Sequence, residues 1–361
     1  MFKMFIQGGT IMKVGLLTSG GDCQGLNAVL RGVAKTLFGL IPNLELYGIL
    51  DGYRGLIEGE WRRMGPEEFS GILRQGGTIL GTSRQPFKEM QTLNENNTSK
   101  LNMMIKNYKE NGFDALVILG GNGTHKTAYL LSQNGVNVVT IPKTIDNDVY
   151  GTDLTFGFDS AVEKATYVID AIHTTAASHG RVFVIELMGH KVGWITLCAG
   201  IAGGADVILI PEIPYDLENV MKAIEDRNKQ GKNFSIIAIA EGAMTKDEAE
   251  LPKKERNNLI APGNRLAQIL SERLEQDVRA IVPGHLQRGG DPTSTDRLLC
   301  SRFGAMAGEL VKNGQFGNMV ALRGTEIVAV PLEEVAGKLK SIPADAQLLR
   351  HAKLLGISMG V

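Results

Sequence analysis

Three times in its first half, the chain repeats a short apolar run followed by a turn. The runs at 14–17 and 115–119 each lead into a glycine-rich turn and then into apolar residues at helical spacing. The run at 138–141 leads into a strongly polar segment at 142–148. Unbroken apolar runs are typical of strands buried on both faces, so the pattern predicts an α/β fold with a mostly parallel sheet between helices.

The same alternation begins again near residue 158. Because 361 residues are enough for about two domains, we expect two α/β lobes, with the chain crossing between them more than once. Residues 1–12 lack a clear pattern and are expected to be a flexible lead-in, with Met12 as an alternative start. In the second half, strands are predicted at 181–187, 205–210, 235–240 and 280–282.

Composition excludes several classes of protein. The formal net charge of −1 argues against a nucleic-acid-binding protein with a broad basic surface. No apolar run reaches about 18 residues, so no membrane span is expected. The three cysteines, Cys23, Cys198 and Cys300, are odd in number and far apart, which implies no disulfide framework and favours a cytoplasmic protein.

The polar segment 142–148 places two carboxylates, a hydroxyl and an ammonium at the end of a predicted strand, where α/β proteins bind ligands. In a phosphoryl transfer, Asp146 could act as the base and Asp148 as a metal partner. Thr144 and Lys143 could touch the transferred phosphate. The alternative is a polar turn in which an aspartate caps the following helix.

The glycine turns at 20–22 and 120–124 suit anion binding, because backbone N–H groups and a helix N-terminus can approach a phosphate there. The alternative is a tight turn that simply requires positive φ. Neither turn contains the Gly-Lys-Ser/Thr unit of a P-loop, and no G-x-G-x-x-G follows the first strand.

Four arginines lie in or beside glycine turns and could supply phosphate-binding forks: Arg84, Arg181, Arg279 and Arg288. Glu241, at a predicted strand end, could bind sugar hydroxyls. Each of these side chains alone is equally compatible with a solvated or structural role.

Taken together and in order, these motifs resemble the phosphofructokinase family. The matching segments are 17–22, 76–84, 120–124, 142–148, 188–189, 199–204, Glu241 and 284–290. The resemblance implies two Rossmann-like three-layer lobes and the glycolytic transfer of phosphate from ATP-Mg²⁺ to the C1 hydroxyl of fructose 6-phosphate. Residues 13–157 plus 287–337 would bind the phosphoryl donor, and residues 158–286 plus 338–361 would bind the sugar phosphate.

The resemblance also implies a role for each matched residue. Asp146 would be the base, assisted by Thr144 and Lys143. Mg²⁺ would lie near Asn122 and Asp148. The donor would be held by Gly21, Arg84, Gly121, Asn122, Gly123 and Thr124. The sugar phosphate would be held by Thr144, Asp146, Met188, Gly189, His190, Glu241, His285 and Arg288. Arg181 and Arg279 would reach the sugar phosphate of a neighbouring subunit, which implies a homodimer or homotetramer.

Three positions depart from the familiar bacterial pattern of this family: Gln24 stands where a proline is usual, which is a small change, and the other two alter the charge of the site. Asn122 stands where an aspartate is usual, which removes one carboxylate from the metal site. His190 stands where an arginine is usual, so Lys191 or Lys143 would take over its charge.

The identity of the donor depends on Gly123 and Lys143. Gly123 leaves room for the α-phosphate of ATP, whereas pyrophosphate-dependent members commonly carry aspartate there. Lys143 is shared with the pyrophosphate-dependent members. The pair resembles the mixed-substrate branch, and ATP is favoured because Gly123 offers no steric or charge block. The alternatives are a pyrophosphate-dependent enzyme, another kinase with similar glycine turns, and a non-catalytic sensor of nucleotide and sugar phosphate.

Overall fold

The computed structural model describes residues 11–95, 97–256, 258–259 and 261–361. Residues 1–10 of the predicted lead-in lie outside these ranges, and Met12 already belongs to the first strand. Within the same ranges, no helix combines the length and the apolar character needed to cross a membrane.

The strands and helices follow each other in an alternating order along most of the chain. In chain order, the strands are β1 (Met12–Thr18), β2 (Leu44–Ile49), β3 (Trp61–Met64), β4 (Ala115–Gly120), β5 (Val138–Pro142), β6 (Val182–Leu187), β7 (Val207–Leu209), β8 (Ser235–Ala240), β9 (Val278–Ile281), β10 (Asn318–Arg323) and β11 (Glu326–Pro331). The helices are α1 (Leu26–Leu40), α2 (Tyr53–Glu58), α3 (Lys100–Asn111), α4 (Asn122–Gln133), α5 (Phe158–His179), α6 (Trp194–Ala202), α7 (Leu217–Lys229), α8 (Lys246–Glu250), α9 (Lys253–Arg256), α10 (Pro262–Arg273), α11 (Ser294–Lys312), α12 (Leu332–Val335) and α13 (Gln347–Leu354). Short 3-10 helices cover Pro66–Phe69, Ile72–Arg74, Phe87–Glu89 and Gly284–Arg288.

The chain divides into two compact units, and it passes between them several times. The first unit is made of Met1–Thr144, Val149–Gly157 and Gly290–Leu339. The second unit is made of Ile145–Asp148, Phe158–Gly289 and Lys340–Val361. The bounds expected from the sequence place the crossings after residues 157, 286 and 337, and they do not separate the short segment Ile145–Asp148.

In the described part of the first unit, seven strands form a sheet in the order β11-β10-β5-β4-β1-β2-β3. The central neighbours are parallel, and only the outer pairs β10–β11 and β2–β3 are antiparallel. Every residue of β4 is buried, as expected for a parallel strand that is covered on both faces. Strands β1, β4 and β5 therefore end side by side at one edge of this sheet.

In the second unit, the described residues form a four-stranded sheet in the order β7-β8-β6-β9, and all of its neighbouring strands are parallel. Every residue of β8 is buried, as in β4 of the first unit. Strands β6 and β8 end together, because Leu187 pairs with Ala240. The predicted α/β class with mostly parallel sheets is confirmed.

In the first unit, helices α1 and α11 approach each other so closely that their contact requires glycine. A Cβ atom on Gly304 of α11 would lie 2.7 Å from the backbone nitrogen of Val33 and 2.8 Å from Gly32 Cα. Real Cβ atoms do not approach backbone that closely, so any side chain at Gly304 would push the helices apart. Gly32 faces the same contact, because its own Cβ would lie 3.2 Å from Gly304 Cα.

We expect Gly304→Ala to lower the free energy of unfolding by about 1–3 kcal/mol, the usual cost of overpacking. Gly39→Ala is the matched control, since a Cβ on Gly39 in α1 meets nothing within 4 Å. That control should leave stability unchanged or raise it slightly, because alanine favours helix. Urea unfolding of both variants measures the difference, and equal midpoints would contradict the close helix contact.

Candidate active site

The first candidate site lies where the central strands of the first unit end. The turn after β1 is tied to β4 by a hydrogen bond from Ser19 N to Leu119 O (2.9 Å). The segment after β5 is tied to β4 by a bond from Lys143 N to Gly120 O (2.9 Å). These backbone bonds bring the two glycine turns and the polar segment to the same edge of the sheet.

The ammonium of Lys143 lies between the two glycine turns. Its Nζ donates a hydrogen bond to Gly21 O. A Cβ atom on Gly20 would lie 3.3 Å from Lys143 Nζ and 3.9 Å from Thr124 Oγ1. Only 4% of Lys143 is exposed, which is rare for lysine and places a positive charge directly beneath the turns.

A third loop packs against the first glycine turn. Gly20 has a φ of +90°, its N–H donates to Ser83 O (3.0 Å), and its carbonyl accepts from Thr82 Oγ1 (2.7 Å). Ser83 Oγ in turn donates to Asp51 O (2.6 Å). These bonds place Arg84, which is exposed, immediately beside the turn. The loop thus adds an exposed guanidinium donor to the edge that already carries Lys143.

The second glycine turn opens helix α4. Gly121 is its N-cap and has no side chain with which to cap the backbone N–H groups of the first turn. Thr124 is fixed by a bond from Tyr53 Oη to its carbonyl (2.9 Å). Gly123 is exposed, and a Cβ there would meet nothing within 4 Å. Backbone donors, a helix N-terminus and the Lys143 ammonium together suit a polyanion.

His125 lies fully buried beneath this turn. Its Nδ1 is 3.0 Å from Thr140 Oγ1 of β5. Burial, reinforced by the nearby Lys143 charge, lowers the pKa of His125 to about 3. The imidazole is therefore neutral near pH 7, and it supports the turn without adding charge to the anion site.

The second candidate site lies in the second unit, where β6 and β8 end. Glu241 follows β8, and its Oε1 accepts from the backbone nitrogens of Gly189 (3.1 Å) and His190 (2.7 Å). His190 has a φ of +54°, so the chain turns sharply after Met188. The carboxylate thus fixes the loop that carries three of the predicted sugar-binding residues.

The 3-10 helix that follows β9 joins the same edge. Gln287 is 1% exposed, and its Oε1 accepts from Met188 N (3.2 Å), while its Nε2 donates to Gly284 O (3.1 Å). His285 on this helix is exposed and Arg288 is half-buried. The structure therefore gathers Met188, Glu241, His285 and Arg288 at one sheet edge. Gln287 was not among the predicted residues, because nothing in its sequence position distinguishes an amide that orients a loop.

A second carboxylate lies close to Glu241. Glu186 is the fifth residue of β6 and accepts a hydrogen bond from Gly263 N (2.9 Å). Burial raises the pKa of Glu186, and the neighbouring Glu241 charge raises it further, against the lowering effects of Gly263 and Arg265. Glu186 therefore gives up a proton less readily than an exposed glutamate.

Arg181 and Arg279 lie at the opposite edge of the second sheet. Arg181 precedes β6 and Arg279 of β9 pairs with Phe183 near the start of β6, whereas Met188 follows this strand of about 20 Å. Both arginines contact Asp277 Oδ2, Arg181 through Nε (2.8 Å) and Arg279 through NH2 (3.0 Å). Within one chain, they cannot serve the same ligand as Met188 and Glu241.

The polar segment after β5 is divided between the units. Lys143 and Thr144 belong to the first unit, and Ile145–Asp148 belong to the second. Asp146 is half-buried and Asp148 is 9% exposed. Helix α5 begins only at Phe158, so neither aspartate caps it, and the capping alternative for this segment is wrong.

The chain is similar to known proteins over most of its length. The family profile described as Phosphofructokinase matches residues 13–311. A protein of Spirochaeta thermophila named ATP-dependent 6-phosphofructokinase is 52% identical over 355 residues, covering 96% of this chain and 97% of that protein. ATP-dependent 6-phosphofructokinase 3 of Bacteroides thetaiotaomicron is 47% identical and covers 97% of this chain and 100% of its own.

Solved structures share the fold. The T-state phosphofructokinase of Pichia pastoris superimposes with a TM-score of 0.80 and 31% identity over 91% of this chain, which spans 35% of that longer chain. The pyrophosphate-dependent phosphofructokinase of Marinobacter aquaeolei gives a TM-score of 0.80 with 22% identity, covering 96% of this chain and 92% of its own, which is a likeness of fold alone. The predicted family is therefore confirmed: the chain belongs to the phosphofructokinase family.

Proposed function

We propose that this chain is a 6-phosphofructokinase that transfers the γ-phosphoryl group of ATP to the C1 hydroxyl of fructose 6-phosphate. The observation that carries the proposal is the Lys143 ammonium, which is buried between two glycine turns and bonded to Gly21 O. A buried cation beside glycine turns and a helix N-terminus suits the phosphates of a donor. The names of the relatives support the reaction and the choice of ATP.

In this mechanism, Asp146 takes the proton from the C1 hydroxyl as the hydroxyl oxygen attacks the γ-phosphorus, and the bond from that phosphorus to the bridging oxygen breaks to release ADP. Lys143 and Thr144 lie against the transferred group, and the α4 N-terminus with Arg84 holds the donor phosphates. Catalysis then consists of positioning and charge stabilisation, which dominate phosphoryl transfer. The sugar phosphate lies on the loop fixed by Glu241, with His190, His285 and Arg288 as its polar partners.

Mg²⁺ would enter this site together with ATP. In the described part of the chain, no group of three or more His, Cys, Asp or Glu side chains could enclose a metal ion. Mg²⁺ commonly takes one or two carboxylates and completes its shell with water and phosphate oxygens. Asp148 and the Asn122 amide are the protein oxygens assigned to it, and the ion would offset the charge of the β- and γ-phosphates.

Pyrophosphate is the second donor to test, because Lys143 is shared with pyrophosphate-dependent members. Gly123 favours ATP, because it has no side chain and the space beside it is open. That space would receive the α-phosphate. Retention of Asp146 argues against a non-catalytic sensor. A cytoplasmic location fits the three free cysteines, which are typical of a reducing compartment.

We also propose that each active site takes Arg181 and Arg279 from a neighbouring subunit, because these residues lie at the far sheet edge of their own unit. Arg279→Ala and Asp146→Asn should each be nearly inactive. Mixing equal amounts after unfolding and refolding should restore about a quarter of the wild-type activity if the functional unit is a symmetric pair, because half of the pairs then contain one intact site.

Arg273→Ala is the control for this experiment, since Arg273 lies on α10 and bonds Glu218 (2.7 Å). Arg273→Ala should be fully active alone. Its mixture with Arg279→Ala should be no more active than the amount of Arg273→Ala that the mixture contains. If the mixture of Arg279→Ala and Asp146→Asn stays inactive, the arginines do not act across subunits.

A further inference from the structure

The turn that carries the proposed base contains a residue in an uncommon backbone conformation. Asn147, between Asp146 and Asp148, has a φ of +53° and is 3% exposed. Residues with side chains rarely adopt left-handed values, although asparagine tolerates them best. Because this turn sets the direction in which the preceding side chain points, the orientation of Asp146 depends on how firmly Asn147 is fixed.

Lys340 fixes this turn at two points. Its Nζ donates to Asn147 Oδ1 at 2.7 Å, and its backbone N–H donates to Asp148 O at 2.9 Å. Lys340 and Ile145–Asp148 belong to the same compact unit. A charge-assisted bond to a largely buried amide is stronger than an ordinary one, so the ammonium is well placed to maintain the left-handed turn.

Lys340 is itself held in place by Trp194, the first residue of α6. The Lys340 ammonium lies 5.7 Å from the centroid of the Trp194 ring, a distance typical of cation–π contacts. The Trp194 side chain also bonds the backbone of Lys340, since its Nε1 donates to Lys340 O at 3.0 Å. Trp194 therefore contacts both the backbone and the ammonium of Lys340, the same ammonium that bonds Asn147.

A carboxylate ties the segment that carries Lys340 to the same helix. Glu212 Oε1 accepts from Ile342 N at 3.1 Å, and both of its carboxylate oxygens accept from Gly193 N, at 3.1 and 3.0 Å. Gly193 is the N-cap of α6 and directly precedes Trp194. Lys340, Trp194 and Glu212 thus form a connected support for a turn that is far away in sequence.

We propose that Lys340 is a positioning residue for catalysis, which orients Asp146 through its bond to Asn147. The proposal rests on the proposed function, in which Asp146 is the base. Lys340 does not touch the reacting atoms in this role. Since small displacements of a base can cost about 10²-fold in rate, loss of the bond should appear mainly in kcat.

The test is the steady-state kinetics of Lys340→Met in the full chain. We expect kcat to fall about 10²-fold, while KM for ATP and for fructose 6-phosphate changes less than about threefold. Lys340→Arg, which keeps the charge and a donor, should recover at least about tenfold of that loss. The matched control is Lys338→Met, because Lys338 also lies over an aromatic ring, 5.1 Å from the Tyr150 centroid, and should keep wild-type kcat.

Asn147→Gly tests the same bond from its other side, and it decides the matter if Lys340→Met does not fold. Glycine accepts the left-handed conformation but lacks the accepting oxygen. Its kcat should also fall, and the double variant with Lys340→Met should be no slower than the slower single one. Wild-type kcat in either single variant, or multiplicative losses in the double variant, would overturn the proposal. Full turnover in Asp146→Asn would instead refute the role of Asp146 as the base.

Discussion

Asp146→Asn is expected to lower kcat by about 10²–10⁴-fold, the usual contribution of a general base, while fructose 6-phosphate still binds. Asparagine keeps the shape of the side chain and one accepting oxygen, but it cannot take a proton from the C1 hydroxyl. The substitution therefore removes a transition-state interaction and leaves ground-state binding largely intact. A coupled assay of fructose 1,6-bisphosphate formation measures kcat, and calorimetric titration measures sugar-phosphate binding.

The control for this prediction is Asp226→Asn on α7, where the carboxylate is 48% exposed and pairs with Lys229 at 3.4 Å. An exposed pair of this kind contributes little to stability, so the control should behave as wild type. Unchanged kcat in Asp146→Asn, with pure enzyme of native stability, would mean that another group takes the proton. Lost binding together with lost kcat would mean that Asp146 mainly holds the sugar.

The sequence predicted the strands that end at the candidate sites, because parallel strands buried on both faces produce unbroken apolar runs. β4 and β8 show this directly, since every residue in each is buried. The turns after β1 and β4 could be interpreted as anion-binding turns, because glycine at a helix N-terminus lets backbone N–H groups approach a phosphate. Local patterns of this kind require no knowledge of what lies nearby in space.

Long-range neighbours were missed, because pairing between distant segments leaves no local pattern. β10 joins β5 through Asn318 and Val139, which are far apart in the chain, and no local pattern indicates this pairing. The contact between Lys340 and Asn147 is of the same kind. A lone lysine near the end of a chain is normally solvated, and only the fold shows that it contacts the turn beside Asp146.

The fold locates two arginines that the sequence predicted to bind phosphate. Arg181 and Arg279 were assigned to the sugar phosphate of a neighbouring subunit, and the fold puts both at the sheet edge opposite Met188 and Glu241 of their own chain. Their shared partner, Asp277, holds the two guanidinium groups together. A phosphate that binds them must compete with this carboxylate, which makes their contribution sensitive to ionic strength.

Gly123→Asp is expected to lower kcat/KM for ATP by about 10²-fold or more and to leave pyrophosphate as the better donor. An aspartate in the first turn of α4 would place a negative charge where the α-phosphate of ATP passes, and like charges brought together cost several kcal/mol. Pyrophosphate lacks that third phosphate and its nucleoside, so it avoids most of this repulsion. Lys143, whose Nζ donates to Gly21 O in the first glycine turn, can contact the phosphates of either donor.

The structure makes this experiment a test of charge rather than of folding. A Cβ at Gly123 meets nothing within 4 Å, and a carboxylate in the first turn of a helix interacts favourably with its dipole. Gly123→Asn has the same size without the charge, so it should lose far less ATP activity than Gly123→Asp. If both variants lose ATP activity equally, the side chain excludes ATP by volume. If Gly123→Asp uses ATP as well as wild type does, the α-phosphate does not pass Gly123, and Lys143 becomes the residue that decides the donor.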